Sequence, residues 1–281
     1  MIDKQGINRK TILLVDDDQM VMETLVTTLR RFGYEAIGTA NPQKDLDRII
    51  DFIQIDAFIV ALEMPSFSMD GYEDVICRLR SKGFNVPMIL TTTETSDRLN
   101  KGTSEKYKPL DVPLLKKYQF EARFNDIRQK LFSPPSLKNG EEMDEAQDKQ
   151  YWNNAAEIIM VNMPHEVTEV LQPVFLERGY KMSVLHYEKL YSHLSTLENR
   201  YSAVLGIFEK NDGYDLSLKR IFDMEKPIGF YSFVGLSKEK LLSDGVSAYG
   251  QAFEKPVNLA KLIQRIEDDA IKAGALQPLK V

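Results

Sequence analysis

The chain reads as an α/β protein in which a parallel sheet, covered by helices on both faces, occurs twice. Three observations predict this. Short apolar runs such as Ile12-Leu13-Leu14-Val15 alternate with segments whose apolar residues fall at helical spacing, as Val21, Leu25 and Leu29 do. The short runs are apolar at every residue, the pattern of strands buried on both faces. A series of landmarks then recurs in the same order at offsets between 140 and 147 residues.

In the first copy the pattern predicts strands at 11–15, 34–38, 57–62 and 87–91, with a weak strand at 104–107. Helices are predicted at 19–31, 43–53, 70–82 and 111–131. In the second copy strands fall near 157–161, 180–185, 202–206, 227–231 and 247–251, and a last helix starts after Pro256. The landmarks are Phe32-Gly33-Tyr34 against Arg178-Gly179-Tyr180, Asp70-Gly71-Tyr72 against Asp212-Gly213-Tyr214, Pro87 against Pro227, and Lys108-Pro109 against Lys255-Pro256. Between the copies, Ser133-Pro134-Pro135-Ser136 and an acidic run offer little to bury. The domains are therefore expected at 1–132 and 153–281, with 133–152 as linker.

Composition narrows the function. Net charge is −6. Residues 1–132 carry 19 basic and 20 acidic side chains and residues 153–281 carry 15 and 17, so neither copy has the basic excess that nucleic-acid binding needs. No stretch approaches the ~20 apolar residues of a membrane helix. The single cysteine, Cys77, excludes an intramolecular disulfide and suits a reducing, cytoplasmic setting. Among Val75, Ile76 and Leu79 it reads as a buried, inert thiol. His165, His186 and His193 have no Cys or second His at metal spacing.

In a doubly covered parallel sheet, chemistry sits beyond the carboxyl ends of the strands. Strand one ends in Val15-Asp16-Asp17-Asp18, strand three in Ala61-Leu62-Glu63-Met64-Pro65, strand four in Thr91-Thr92-Thr93, and strand five is expected just before Lys108-Pro109. Carboxylates, a hydroxyl and an ammonium on one rim suit a hard divalent cation and phosphate oxygens. Asp16–Asp18 on their own also fit a helix-capping turn.

Together these residues resemble the receiver domain of bacterial response regulators over residues 10–132. The resemblance implies a flavodoxin-like fold of five parallel strands in the order 2-1-3-4-5, in two copies. It implies that Asp16 and Asp17 match the Mg²⁺-holding acidic pair, Thr92 the phosphate-site hydroxyl and Lys108 the lysine. The acceptor aspartate's position holds Ala61, whose methyl group cannot form an acyl phosphate, so Mg²⁺ binding should be weak at best. Glu63 lies two residues on, where the family uses a backbone carbonyl. The loop at 65–70 is two residues longer than usual, and the span from Thr92 to Lys108 is about six shorter, which implies a stunted fourth helix. Glu105 stands at the switch aromatic's place, with Tyr107 beside the lysine.

The second copy retains less. Asn162-Met163 replaces the acidic pair, the acceptor position falls near Gly206, and Ser232 and Lys255 match the hydroxyl and the lysine. The expected function is a two-component signalling protein without an output domain or enzymatic activity. It binds partners such as a histidine kinase, another response regulator or a downstream effector, or a second copy of itself, without phosphorylation. One alternative is a phosphoryl relay or sink whose natural sequence carries the acceptor aspartate at position 61, with Ala replacing it in the present sequence. Another is a Mg²⁺-dependent phosphatase, because Asp16-x-Asp18 faintly resembles the haloacid-dehalogenase motif, although Met20 stands where that motif wants Thr or Val.

Overall fold

The computed structural model describes residues 9–65, 71–93, 114–123, 156–197, 201–207, 221, 224, 226–233 and 249–275. The chain divides into two compact units. The first comprises Met1–Asp47 with Ile55–Ala146, and the second comprises Arg48–Gln54 with Gln147–Val281.

In the first unit the elements run β1 (Thr11–Val15), α1 (Gln19–Arg31), β2 (Glu35–Thr39), α2 (Pro42–Phe52, of which the residues from Arg48 on are counted with the second unit), β3 (Ala57–Ala61), α3 (Gly71–Ser81), β4 (Met88–Thr92) and β5 (Leu114–Lys116). The sheet is wholly parallel, in the order β2-β1-β3-β4-β5. This is the flavodoxin-like order that the resemblance implied. Every residue of β1 and β3 is buried, because alternate side chains point to opposite, equally covered faces. One face packs Ile12, Leu14, Ala57 and Ile59 against Leu25, Val26 and Leu29 of α1 and against Phe120.

The second unit repeats this plan with β6 (Glu157–Val161), α4 (His165–Glu177), β7 (Lys181–Leu185), α5 (Tyr187–Thr196), β8 (Ser202–Gly206), β9 (Ile228–Ser232), β10 (Tyr249–Ala252) and α6 (Leu259–Lys272). Its sheet order, β10-β9-β8-β6-β7, is the same 2-1-3-4-5 arrangement when its strands are counted within the unit. The segment 48–54 is tied into this unit by backbone bonds from Gln54 N to Val257 O and from Val257 N to Phe52 O.

The recurring landmarks have physical causes. Gly33 and Gly179 close α1 and α4 with φ of 81° and 80°, a left-handed conformation that glycine adopts without penalty. The tyrosine that follows bonds back to its helix: Tyr34 N donates to Leu29 O, and Tyr180 N to Phe175 O. Pro87 O accepts from Phe58 N as Pro227 O accepts from Ser202 N, so each proline carbonyl starts a ladder.

Four expectations are corrected. The fifth strand is Leu114–Lys116, so residues 104–107 do not fill that place, and the expected helix 111–131 gives way to a strand in its first turn. The connection from β4 to β5 then spans residues 93–113, and the shortening counted to Lys108 no longer follows. Cys77 is exposed, because it lies two residues, about 200° of helical turn, from Val75 and so off the apolar face. Lys108, Glu105, Tyr107, the loop at 66–70 and the linker lie outside the described residues.

In the second unit a buried polar chain runs from the Tyr201 hydroxyl, 2.5 Å from that of Tyr231, to Asp269, whose Oδ2 accepts from Tyr231 (3.0 Å) and Arg265 (2.9 Å). A methyl group on Gly229 would lie 2.4 Å from the Tyr201 hydroxyl and 3.0 Å from the Tyr231 ring. Gly229→Ala is expected to cost about 2–3 kcal/mol. Gly38→Ala meets mainly the bendable Met22 side chain and should cost about 1–2 kcal/mol. Urea denaturation of both variants checks the order.

In the first unit Asp47 of α2 pairs with Arg78 (2.5 Å) and Lys82 (3.3 Å). The Arg78 hydrogen bond, with Lys82 adding to it, holds the Asp47 carboxyl below its usual range. The native state therefore binds its proton more weakly than the unfolded chain, and the pair's stabilisation fades as pH falls below about 4. The pair is a third exposed, so Asp47→Asn should cost only about 0.5 kcal/mol at pH 7. The loss should shrink toward pH 3 in the same denaturation experiment.

Candidate functional site

The carboxyl ends of β1, β3, β4 and β5 bring together most of the residues singled out in the first copy. Asp16 follows β1 and is 1% exposed. Its Oδ1 accepts from the Asp18 amide (3.1 Å) and its Oδ2 lies 2.6 Å from Lys117 Nζ. Burial pushes the Asp16 carboxyl above its usual range, and the hydrogen bond and charge of Lys117 pull it back only in part. Asp17 is half-buried. Asp18 caps α1, its side chain accepting from Val21 N at 3.1 Å. The capping role and the rim role thus fall to different members of the acidic run.

Ala61, the last residue of β3, is fully buried and lies in register with Thr91. Thr92 ends β4 with no exposure. Its hydroxyl donates to Glu63 Oε1, while the Thr93 amide (3.1 Å) and the Thr93 hydroxyl (3.4 Å) donate to Glu63 Oε2. One carboxylate therefore collects three donors from the end of β4. Asp56 faces the other rim, where its Oδ2 accepts from Thr11 N at 2.8 Å.

Sequence reasoning named Glu63 without its partners and missed Lys117. The lysine beside Asp16 is Lys117, the first residue after β5, where Lys108 was expected. The signal for it was the repeat itself: offsets fall from 146 through 142 to 140 and then jump to 147 at Lys108, whereas Lys117 to Lys255 gives 255 − 117 = 138 and continues the drift. The hydrogen bonds of Glu63 left no mark in the pattern, since an acidic residue after a strand is also an ordinary solvated turn.

The resemblance implies Mg²⁺ on carboxylate oxygens, but the donor set does not fit one. A hard cation needs several carboxylate or carbonyl oxygens turned toward one point. Asp16 spends one oxygen on an amide and the other on an ammonium, position 61 offers a methyl, and Glu63 is turned to the threonines. Among the described residues no group of three or more His, Cys, Asp or Glu side chains is placed to hold a metal. His193 and His165 pair instead with Glu157 and Glu169, each at 2.9 Å.

The corresponding rim of the second unit is chemically different. Asn162 follows β6 at φ 50°, and its side-chain oxygen accepts from Tyr187 N at 3.4 Å. Gly206 ends β8 in register with Ser232, which is 1% exposed. Lys255, joined to Pro256 by a cis peptide bond, places its Nζ 4.6 Å from the centroid of the Phe52 ring. Phe52 packs edge-on against Phe233 at 5.0 Å, and Phe233 lies 6.2 Å from Phe253. Lys255, expected to meet phosphate with Ser232, thus lies over an aromatic ring.

The Asp16–Lys117 pair yields a prediction. Lys117→Met leaves a buried carboxylate without its cation and should cost about 3–5 kcal/mol at pH 7. Asp16→Leu with Lys117→Met should recover most of that loss. The native Asp16 carboxyl already holds its proton more tightly than its unfolded value of 3.8. Its contribution to stability therefore falls as pH rises from about 4, and Lys117→Met should steepen that fall. Urea midpoints measured from pH 4 to pH 7 test both statements.

Comparison with known proteins bears on the same residues. The family model of the response regulator receiver domain matches residues 12–106. The "Probable transcriptional regulator ycf27" of Cyanophora paradoxa is 25% identical over 176 residues, covering 59% of this chain and 71% of that protein. Among solved structures, the E. coli RcsC C-terminus, containing a linker region and a phosphoreceiver domain, is 13% identical. It covers 95% of both chains with a TM-score of 0.35. A two-component system response regulator/GGDEF domain protein is 12% identical, covering 95% of this chain and 100% of that one with a TM-score of 0.35. No helix among the described residues is long and apolar enough to cross a membrane. Over residues 12–106 the chain is thus similar to the response regulator receiver domain.

Proposed function

We propose that this protein is a signalling adaptor that binds its partners without accepting a phosphoryl group. The domains are taken as 1–132 and 153–281, joined by 133–152. The observation that carries the reading is Ala61. At the end of β3, where the receiver family places its acceptor aspartate, the side chain is a buried methyl group, and a methyl group has no lone pair with which to attack phosphorus. The surrounding charges support it: the ammonium of Lys117 is spent on Asp16, and the donors of Thr92 and Thr93 are spent on Glu63. Thr92 is read as the surviving phosphate-site hydroxyl and Asp16 with Asp17 as the remnant of an acidic pair. Lys117 takes the role first given to Lys108.

The second unit is read as a receiver fold further removed from that chemistry, with Gly206 at the acceptor's place and Ser232 and Lys255 as remnants. Its partners are other proteins, a histidine kinase, a response regulator, a downstream effector or a second copy. Neither unit catalyses a reaction, and the protein works in the cytoplasm.

Intact-mass measurement after incubation with Mg²⁺ and a small acyl-phosphate donor tests the reading. The unmodified chain is expected to gain no phosphoryl mass, and its oligomeric state by light scattering should not change with donor or Mg²⁺. Labelling of the unmodified chain would overturn the proposal. Ala61→Asp in the same assay reports the rest of the pocket: one added phosphoryl group means that the acceptor alone is missing and favours the relay reading.

A further inference from the structure

The end of β4 presents three donors to one point: the Thr92 hydroxyl, the Thr93 amide and the Thr93 hydroxyl. Thr92 is fully buried, so its hydroxyl must find its partners within the protein. What it meets is an anion. Both oxygens of Glu63 are engaged, Oε1 by Thr92 and Oε2 by the amide and hydroxyl of Thr93. One backbone constraint fixes this meeting. Leu62 N donates to Thr91 O at 2.7 Å, so the chain leaving β3 stays registered on β4, and Glu63 follows one residue later. The side chain of Asp16, after β1, is engaged elsewhere, because the Asp18 amide and Lys117 hold its two oxygens.

A hydroxyl and an amide converging with a second hydroxyl on a carboxylate make a charge-assisted set. Such a set would bind a free oxyanion, inorganic phosphate or a carboxylate, if nothing in the chain filled it.

We infer that the end of β4 is an oxyanion cradle closed in cis by the Glu63 carboxylate, a built-in anion that holds Thr92 and Thr93 in one ligand-engaged arrangement. The inference deepens the adaptor reading and rests on it. It supplies the device by which the receiver unit keeps one conformation with no phosphoryl group at position 61. It also identifies Glu63 as a positioning residue, acting through the two threonines.

The test uses the full chain, with inorganic phosphate as probe and the Thr93 amide as reporter in ¹H–¹⁵N correlation spectra. In the unmodified protein the Thr93 amide should be protected from exchange and should not shift with up to 20 mM phosphate, roughly the upper end of a weak-site titration. Glu63→Ala should raise its exchange rate at least about tenfold, the loss expected when one charge-assisted bond is removed. The same variant should respond to phosphate with a saturable shift confined to Thr92, Thr93 and their neighbours. Glu63→Gln keeps an acceptor of the same size without the charge, so it guards against a folding defect. It should retain more protection than Glu63→Ala and respond to phosphate only weakly.

Equal phosphate response in the unmodified chain and Glu63→Ala would overturn the inference, as would unchanged Thr93 protection in Glu63→Ala. Neither result touches the adaptor reading, which falls only if the unmodified chain takes up phosphoryl mass.

Discussion

A parallel sheet covered on both faces has no room for an unpaired polar side chain along its strands. β1, β3, β6, β8 and β9 are buried at every residue, and burying a polar group without a partner costs roughly 2–7 kcal/mol. Polar side chains are therefore pressed toward the strand ends, where the neighbouring end or the next helix satisfies them. Thr39 at the end of β2 donates to Asp45 at 3.1 Å, Thr92 at the end of β4 donates to Glu63, and Asp16 after β1 meets Lys117. The crowding of chemistry at one rim follows from this constraint before any function is considered. It also ties the charged residues of a rim to one another: removing one partner of a buried pair strands the other.

That constraint explains what was legible in the sequence. Strands and helices of both units could be read because uninterrupted apolar runs and helical spacing are produced by burial itself. The Gly-Tyr landmarks could be read because a left-handed turn at Gly33 and Gly179 admits few other residues. Cys77 was misread because apolar company in sequence is not apolar company in space; a residue two positions along a helix faces elsewhere. Strand five was misplaced because it is only three residues long. A Lys-Pro pair matched the second copy in type, while Lys117 matched it in the run of offsets. Spacing was the better guide, since topology constrains distance along the chain and leaves residue pairs free to recur by chance.

The two rims differ in chemistry. That of the first unit is electrostatic. Carboxylate, ammonium, hydroxyl and amide are all present, but each is paired within the chain. That of the second unit is more apolar: Asn162 is uncharged, Gly206 has no side chain, and Lys255 lies over the ring of Phe52, which packs on Phe233. A cation over an aromatic face is stabilised by about 0.5–2 kcal/mol. The buried Tyr201–Tyr231–Asp269 chain adds a second polar core to this unit, anchored on α6 by Arg265.

A rim that pairs its own charges is also insensitive to the usual input. A ligand shifts a conformational equilibrium only by its differential affinity for the two states. Where the Thr92 and Thr93 donors already hold an anion covalently attached to the chain, an added anion must displace a partner present at high effective concentration. The free energy left for shifting conformation is then small, whatever the affinity of the bare donors. The same logic applies to Asp16, whose oxygens a cation could take only by displacing Lys117 from a buried site. The arrangement of such a rim is set when the chain folds.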